Sequence, residues 1–166
     1  LAAILIAGLM VRLHGISFGL PYLYDPDEPA FVDIAINILR TSDFNPHWFG
    51  HPGTTSIYLL VVLYALIYLG GLGFGVFSSP ADFRILINSD PTLLYMSGRL
   101  VFALIGVATI FVVYLIARRL FNKSCGLIAA TFCAFSPQHV FFYKLVRSDI
   151  LMTFFLSVAF LFCLGI

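Results

Sequence analysis

Hydrophobic residues fill this chain in long runs, and the polar residues gather between them. Residues 1–20 (LAAILIAGLMVRLHGISFGL) form the first run, and 54–76, 93–117, 124–143 and 150–166 form the next four. About 20 helical residues cover about 30 Å of hydrocarbon, so 1–20, 93–117, 124–143 and 150–166 read as membrane spans. The 93–117 span carries one charge, Arg99, near its start, and Pro137 predicts a kink in 124–143. Arg12 and His14 lie in the second half of the first span. Snorkelling of their polar ends to the interface is the preferred reading over a polar cavity.

The main polar island is 24–53, YDPDEPAFVDIAINILRTSDFNPHWFGHPG, with Asp25, Asp27, Glu28, Asp33, Asp43, His47, Trp48 and His51. Inside it, Phe31, Ile34, Ala35 and Ile38 recur at helical spacing, with Asp33, Asn37 and Arg40 opposite. That pattern predicts an amphipathic helix over 29–40 lying in the membrane interface. Pro29 suits its first position, where a missing N–H costs nothing.

Composition sharpens the membrane reading. The 166 residues are 61% hydrophobic and 10% charged, against about 45–50% and about 25% in soluble domains. A net charge of +1, with no basic patch interleaved with aromatics, excludes nucleic acid as a partner. Cys125, Cys133 and Cys163 fall in apolar runs without CxxC spacing and read as buried structural thiols. The chain opens inside an apolar run at Leu1 and ends inside another at Ile166, as expected of an N-terminal piece of a larger polytopic protein. A signal peptide over 1–20 is the weaker reading, because a basic leader is absent and Arg12 interrupts the run.

Charge then orients the spans. Arg118, Arg119 and Lys123 make a basic loop, with no acid between Asp90 and Asp149. The positive-inside rule assigns that loop to the cytoplasm. Arg99 and Asp149 then lie near the outer face. If 54–76 does not cross, the acidic island at 24–53 shares that face, and 21–92 is one long external loop. This arrangement gathers the acids, so 54–76 is read as an in-plane or re-entrant helix. Gly70, Gly71, Gly73 and Gly75 also weaken the end of that segment as a crossing helix.

Several residues can carry chemistry. Asp27 and Glu28 form an adjacent pair, suited to a general base beside a group that fixes an acceptor or cation. On spacing alone, a helix start favoured by the dipole is the stronger reading. Asp149 is either an N-cap, with Ser148 as rival, or one of an ionisable cluster with Arg147. Arg99, inside the start of a span, either snorkels or binds an anion such as a lipid phosphate or Asp27. His47 and His51 with Asp43 would make a zinc site, but Pro46 and Pro52 break the helix that would align them. His51-Pro52 instead shapes the entrance to the next helix. No cofactor is identified. A divalent cation would need Asp27, Glu28 and Asp149 to converge, and oxygen ligands alone do not select one.

The order of these features resembles a known family. A first span ends in YDPDEPAF, and an amphipathic helix, HPG and an apolar segment follow. Next come GRLVFALIGVATIFVVYLIARRLFN and SPQHVFFYKLVRSDILMTFFL. This is similar to the N-terminal part of the polyprenyl-phosphate-sugar-dependent glycosyltransferases of the C-type membrane fold, such as the protein mannosyltransferases and the lipid A aminoarabinose transferases. The resemblance implies an inverting transfer of sugar from a polyprenyl-phosphate donor to an acceptor hydroxyl on a protein or glycolipid. It implies a site at the extracytoplasmic or lumenal face of the plasma membrane or endoplasmic reticulum. By resemblance, Asp27 is the base with Glu28 beside it. Arg99 and Asp149 are then substrate-binding, Arg99 through the lipid phosphate, and Arg147 and His51 join them as substrate-binding candidates.

The expected fold is therefore all-α, a polytopic membrane helix bundle whose first external loop carries in-plane helices over 29–40 and 54–76. The later spans and the soluble part common in such proteins lie outside these residues, so this piece is not expected to act alone. Two other classes remain open: a transporter or channel half with an Asp/Arg relay, and a non-catalytic membrane scaffold.

Overall fold

A computed structural model describes residues 1–22, 25–49 and 53–165. The described residues form helices without strands: α1 (Ala2–Leu13), α2 (Glu28–Thr41), α3 (Thr54–Gly73), α4 (Pro80–Ser89), α5 (Thr92–Leu120), α6 (Lys123–Phe135), α7 (Pro137–Phe142) and α8 (Ser148–Cys163). They divide into two compact units: Leu1–Ile16 with Arg99–Ile166, and Ser17–Gly98.

In the first unit, α1 packs against α6 and α7. Ile110, Tyr114, Ala130 and Ala134 form a buried core with Ile4, Leu5 and Cys133 against it. Small residues allow the close approach typical of membrane bundles. A Cβ on Gly106 would lie 2.4 Å from Tyr143 Cδ1, and one on Gly126 would lie 2.9 Å from the Tyr114 carbonyl. The large apolar side chains that remain exposed, including Ile6, Phe132, Leu156 and Phe162, form a surface suited to lipid. Arg118 and Arg119 complement the dipole at the C-terminal turn of α5. Asn122 then caps α6 by accepting from the Cys125 N–H at 2.9 Å.

Two boundaries differ from the sequence reading. The first helix stops at Leu13 instead of continuing to residue 20. His14 adopts extended backbone, and Gly15 and Gly19 take φ of 70° and 79°, a region open to glycine. The expected 124–143 span is broken instead of merely kinked. Ser136, held extended at ψ 119° before Pro137, separates α6 from α7.

In the second unit, α2 packs along α3. Phe31, Val32, Ala35 and Ile38 are buried, while Asp33, Asn37 and Arg40 are exposed. The apolar stripe is thus covered by protein, with Phe31 edge-on to Trp48 at 5.8 Å between ring centroids. Gly53 is required there, since its Cβ would come within 2.3 Å of Phe31 Cε1. Helix α3 buries Ile57, Leu60, Val61 and Tyr64 and exposes Val62, Leu66 and Leu69.

Both α3 and α5 have the length and apolar composition of membrane-crossing helices. Gly70 and Gly71 remain helical in α3, which ends at Gly73, ahead of Gly75 at φ 70°. A capping box starts α4: the Ser79 hydroxyl accepts from the Asp82 N–H, and the Asp82 carboxylate accepts from the Ser79 N–H.

Candidate functional site

The acidic pair opens α2. Asp25 Oδ1 accepts from the Asp27 N–H at 2.9 Å, a turn that delivers the chain into the helix. Asp27 occupies the N-cap position, yet its side chain makes no capping hydrogen bond. Asp27 and Glu28 thus stand at the start of α2, where the helix-start reading has them and where their charge suits the dipole. Glu28, the first helical residue, is fully buried. Downstream, partial burial raises the Asp33 carboxyl above the usual range.

The loop after α2 is a chain of side-chain turns. Asp43 Oδ1 accepts from the Asn45 N–H at 2.9 Å, and Asn45 Oδ1 accepts from the His47 N–H at 3.0 Å. His47 Nε2 lies 2.7 Å from Asp43 Oδ2. That contact first, and the Asn45 N–H second, lowers the Asp43 carboxyl from its ordinary value. His47 is thus engaged locally by Asp43. Among the described residues, no three His, Cys, Asp or Glu gather as a metal site. His51, expected to bind substrate, lies outside the described residues.

The two arginines expected to bind substrate, Arg99 and Arg147, belong to the first unit. Arg99 is 1% exposed and donates from Nη1 to the Ile16 carbonyl at 2.8 Å. Its guanidinium therefore does not snorkel; it holds the turn after α1 against α5. Arg147 sits at the N-cap position of α8, with its guanidinium 5.2 Å from the Phe142 ring centroid. Its Nε is 3.9 Å from Asp149 Oδ2, whose side chain is 63% exposed. Arg147 and Asp149 are thus brought together, loosely. Neither Asp149 nor Ser148 is the N-cap; both lie in the first turn of α8, where the Asp149 charge suits the dipole.

The sequence reading missed a buried cluster. Arg12 is fully enclosed, which corrects the snorkelling expectation. Its Nη1 donates to the carbonyls of Gly8 at 2.7 Å and Ala134 at 3.1 Å, and its Nη2 lies 2.6 Å from His139 Nδ1. The His139 ring stacks on Tyr143 with centroids 3.9 Å apart and planes within 4°. Lys144 Nζ donates to the His14 carbonyl. The available signal was an arginine inside an apolar run and a histidine two residues after a proline.

Long apolar helices, small-residue contacts and a surface of exposed aliphatic and aromatic side chains define a helical membrane bundle. Within it, residues 94–165 match the family model described as dolichyl-phosphate-mannose-protein mannosyltransferase. The resemblance drawn from the sequence is borne out over that segment. No curated protein and no solved structure matches the chain.

Proposed function

We propose that this chain is the N-terminal part of an integral membrane glycosyltransferase that moves a sugar from a polyprenyl-phosphate donor to an acceptor hydroxyl on a protein or glycolipid. The family match over 94–165 carries this reading. In the proposed reaction, the acceptor oxygen attacks the anomeric carbon, the bond to the lipid phosphate breaks, and configuration inverts. Asp27 takes the hydroxyl proton. Glu28 supports Asp27 from the buried side. Arg99, Arg147, Asp149 and His51 hold the donor, with cations compensating the charge that develops on the leaving phosphate.

The topology of this proposal follows charge. Arg118, Arg119 and Lys123 lie inside, α2 and α3 belong to the first external loop, and the site faces the extracytoplasmic or lumenal side.

The test is Asp27→Asn in the whole protein, which keeps the shape of the side chain and removes the base. A loss of about 10²–10⁴-fold in kcat, with donor KM little changed, is the expected outcome. Normal transfer by that variant would remove Asp27 from the mechanism.

A further inference from the structure

A second binding feature lies wholly within the Ser17–Gly98 unit. Between α2, α3 and the α4–α5 junction runs a groove of about 410 Å³, within the range of about 300–1,000 Å³ usual for ligand pockets. Its walls include Tyr64, Tyr68, Leu69 and Phe83. Tyr64 is fully buried behind this wall, its hydroxyl donating to the Leu94 carbonyl at 3.3 Å. Tyr68 and Phe83 pack with Phe77 at centroid distances of 5.2–6.3 Å, which makes the α3–α4 side of the groove a rigid aromatic wall.

Two cations line this otherwise apolar groove, Arg40 from the last turn of α2 and Arg84 from α4. Arg40 makes only a long 3.4 Å contact to Asn37 Oδ1. Both side chains are exposed, and neither is paired with a carboxylate among the described residues. An adjoining recess, which contains Asp33, shares Arg40 and Asn88 with the groove. Apolar walls beside two uncommitted guanidinium groups are complementary to an amphiphile with an anionic head. Arginine suits a phosphate because its fork donates two parallel hydrogen bonds. Clusters of basic residues at membrane surfaces attract anionic lipid head groups by the same charge logic.

We infer that this groove binds one anionic glycerophospholipid of the surrounding bilayer. Arg40 and Arg84 hold its phosphate, and an acyl chain lies against Tyr68, Leu69 and Phe83. This lipid is a structural ligand of the helical loop unit, separate from the sugar donor, and the inference does not depend on Asp27 or on any transfer activity.

Native mass spectrometry of the whole protein, delipidated in neutral detergent and titrated with phosphatidylglycerol or phosphatidylcholine, tests it. One phosphatidylglycerol should bind at least about tenfold more tightly than phosphatidylcholine, roughly the worth of one charge-assisted hydrogen bond. R40Q/R84Q should lose that preference, while R40K/R84K should keep most of it. Helical circular dichroism identifies variants that fail to fold, and the wild-type comparison of the two lipids decides the question without them. Equal binding of both lipids, or an unchanged preference in folded R40Q/R84Q, would overturn the inference. So would one-for-one displacement of phosphatidylglycerol by a polyprenyl phosphate, which would make the groove part of the donor site.

Discussion

The Nη2 of Arg12 lies 2.6 Å from Nδ1 of His139, a histidine on a different helix and 127 positions along the chain. A guanidinium can only donate, so His139 Nδ1 must accept. The imidazole is then neutral, with its proton on Nε2. An arginine that reads as an interfacial anchor is thus an internal tie between α1 and the break that separates α6 from α7.

Removing the acceptor should therefore cost more than removing the pair. His139→Leu leaves Arg12 Nη2 without its histidine acceptor in a buried site, and a loss of about 1–3 kcal/mol is expected. Arg12→Met combined with His139→Leu should recover most of it, because buried charge replaced by apolar volume is often neutral or stabilising. Thermal unfolding in detergent across the double-mutant cycle measures this. A neutral His139→Leu would contradict the tie.

Asp149 should behave differently. Its contact with Arg147 is long and exposed, and exposed ion pairs contribute little to stability. Asp149→Asn is expected to leave the unfolding midpoint nearly unchanged and to reduce sugar transfer about tenfold or more, as for one charged contact to substrate. Equal loss of stability and activity would make Asp149 a structural residue.

The topology predicts that single cysteines introduced at Asp43 and Lys123 react from opposite sides of the membrane, in a background where the three native cysteines are replaced. Impermeant thiol reagents applied to sealed, oriented vesicles read this directly. Labelling from the same side would mean that α3 crosses, and would separate the acidic island from Asp149.

Much of the fold was legible because apolar periodicity is a local signal. The stripe Phe31, Ala35, Ile38 gave α2, and the nearly uncharged run after Arg99 gave α5. What covers a stripe is a tertiary fact. The α2 stripe suited lipid as well as a helix partner, and it packs on α3. Boundaries depended on backbone conformations that hydropathy does not encode, including positive φ at Gly15 and extended Ser136. The candidate site was legible as residue types and not as partners. Arg99 reads as a cation that either snorkels or binds an anion, whereas its bond to the Ile16 carbonyl joins positions 83 apart. Arg12 read as an interfacial anchor, and its partners Ala134 and His139 lie 122 and 127 positions away.

The central claim is the donor. The whole protein, in vesicles, should be given labelled sugar on a polyprenyl phosphate and, separately, the same sugar on a nucleotide, with the product anomer read by NMR. The account predicts transfer from the polyprenyl phosphate alone, with inverted configuration at the anomeric carbon. Transfer from the nucleotide sugar with the lipid-linked sugar untouched, or retention of configuration, would contradict it.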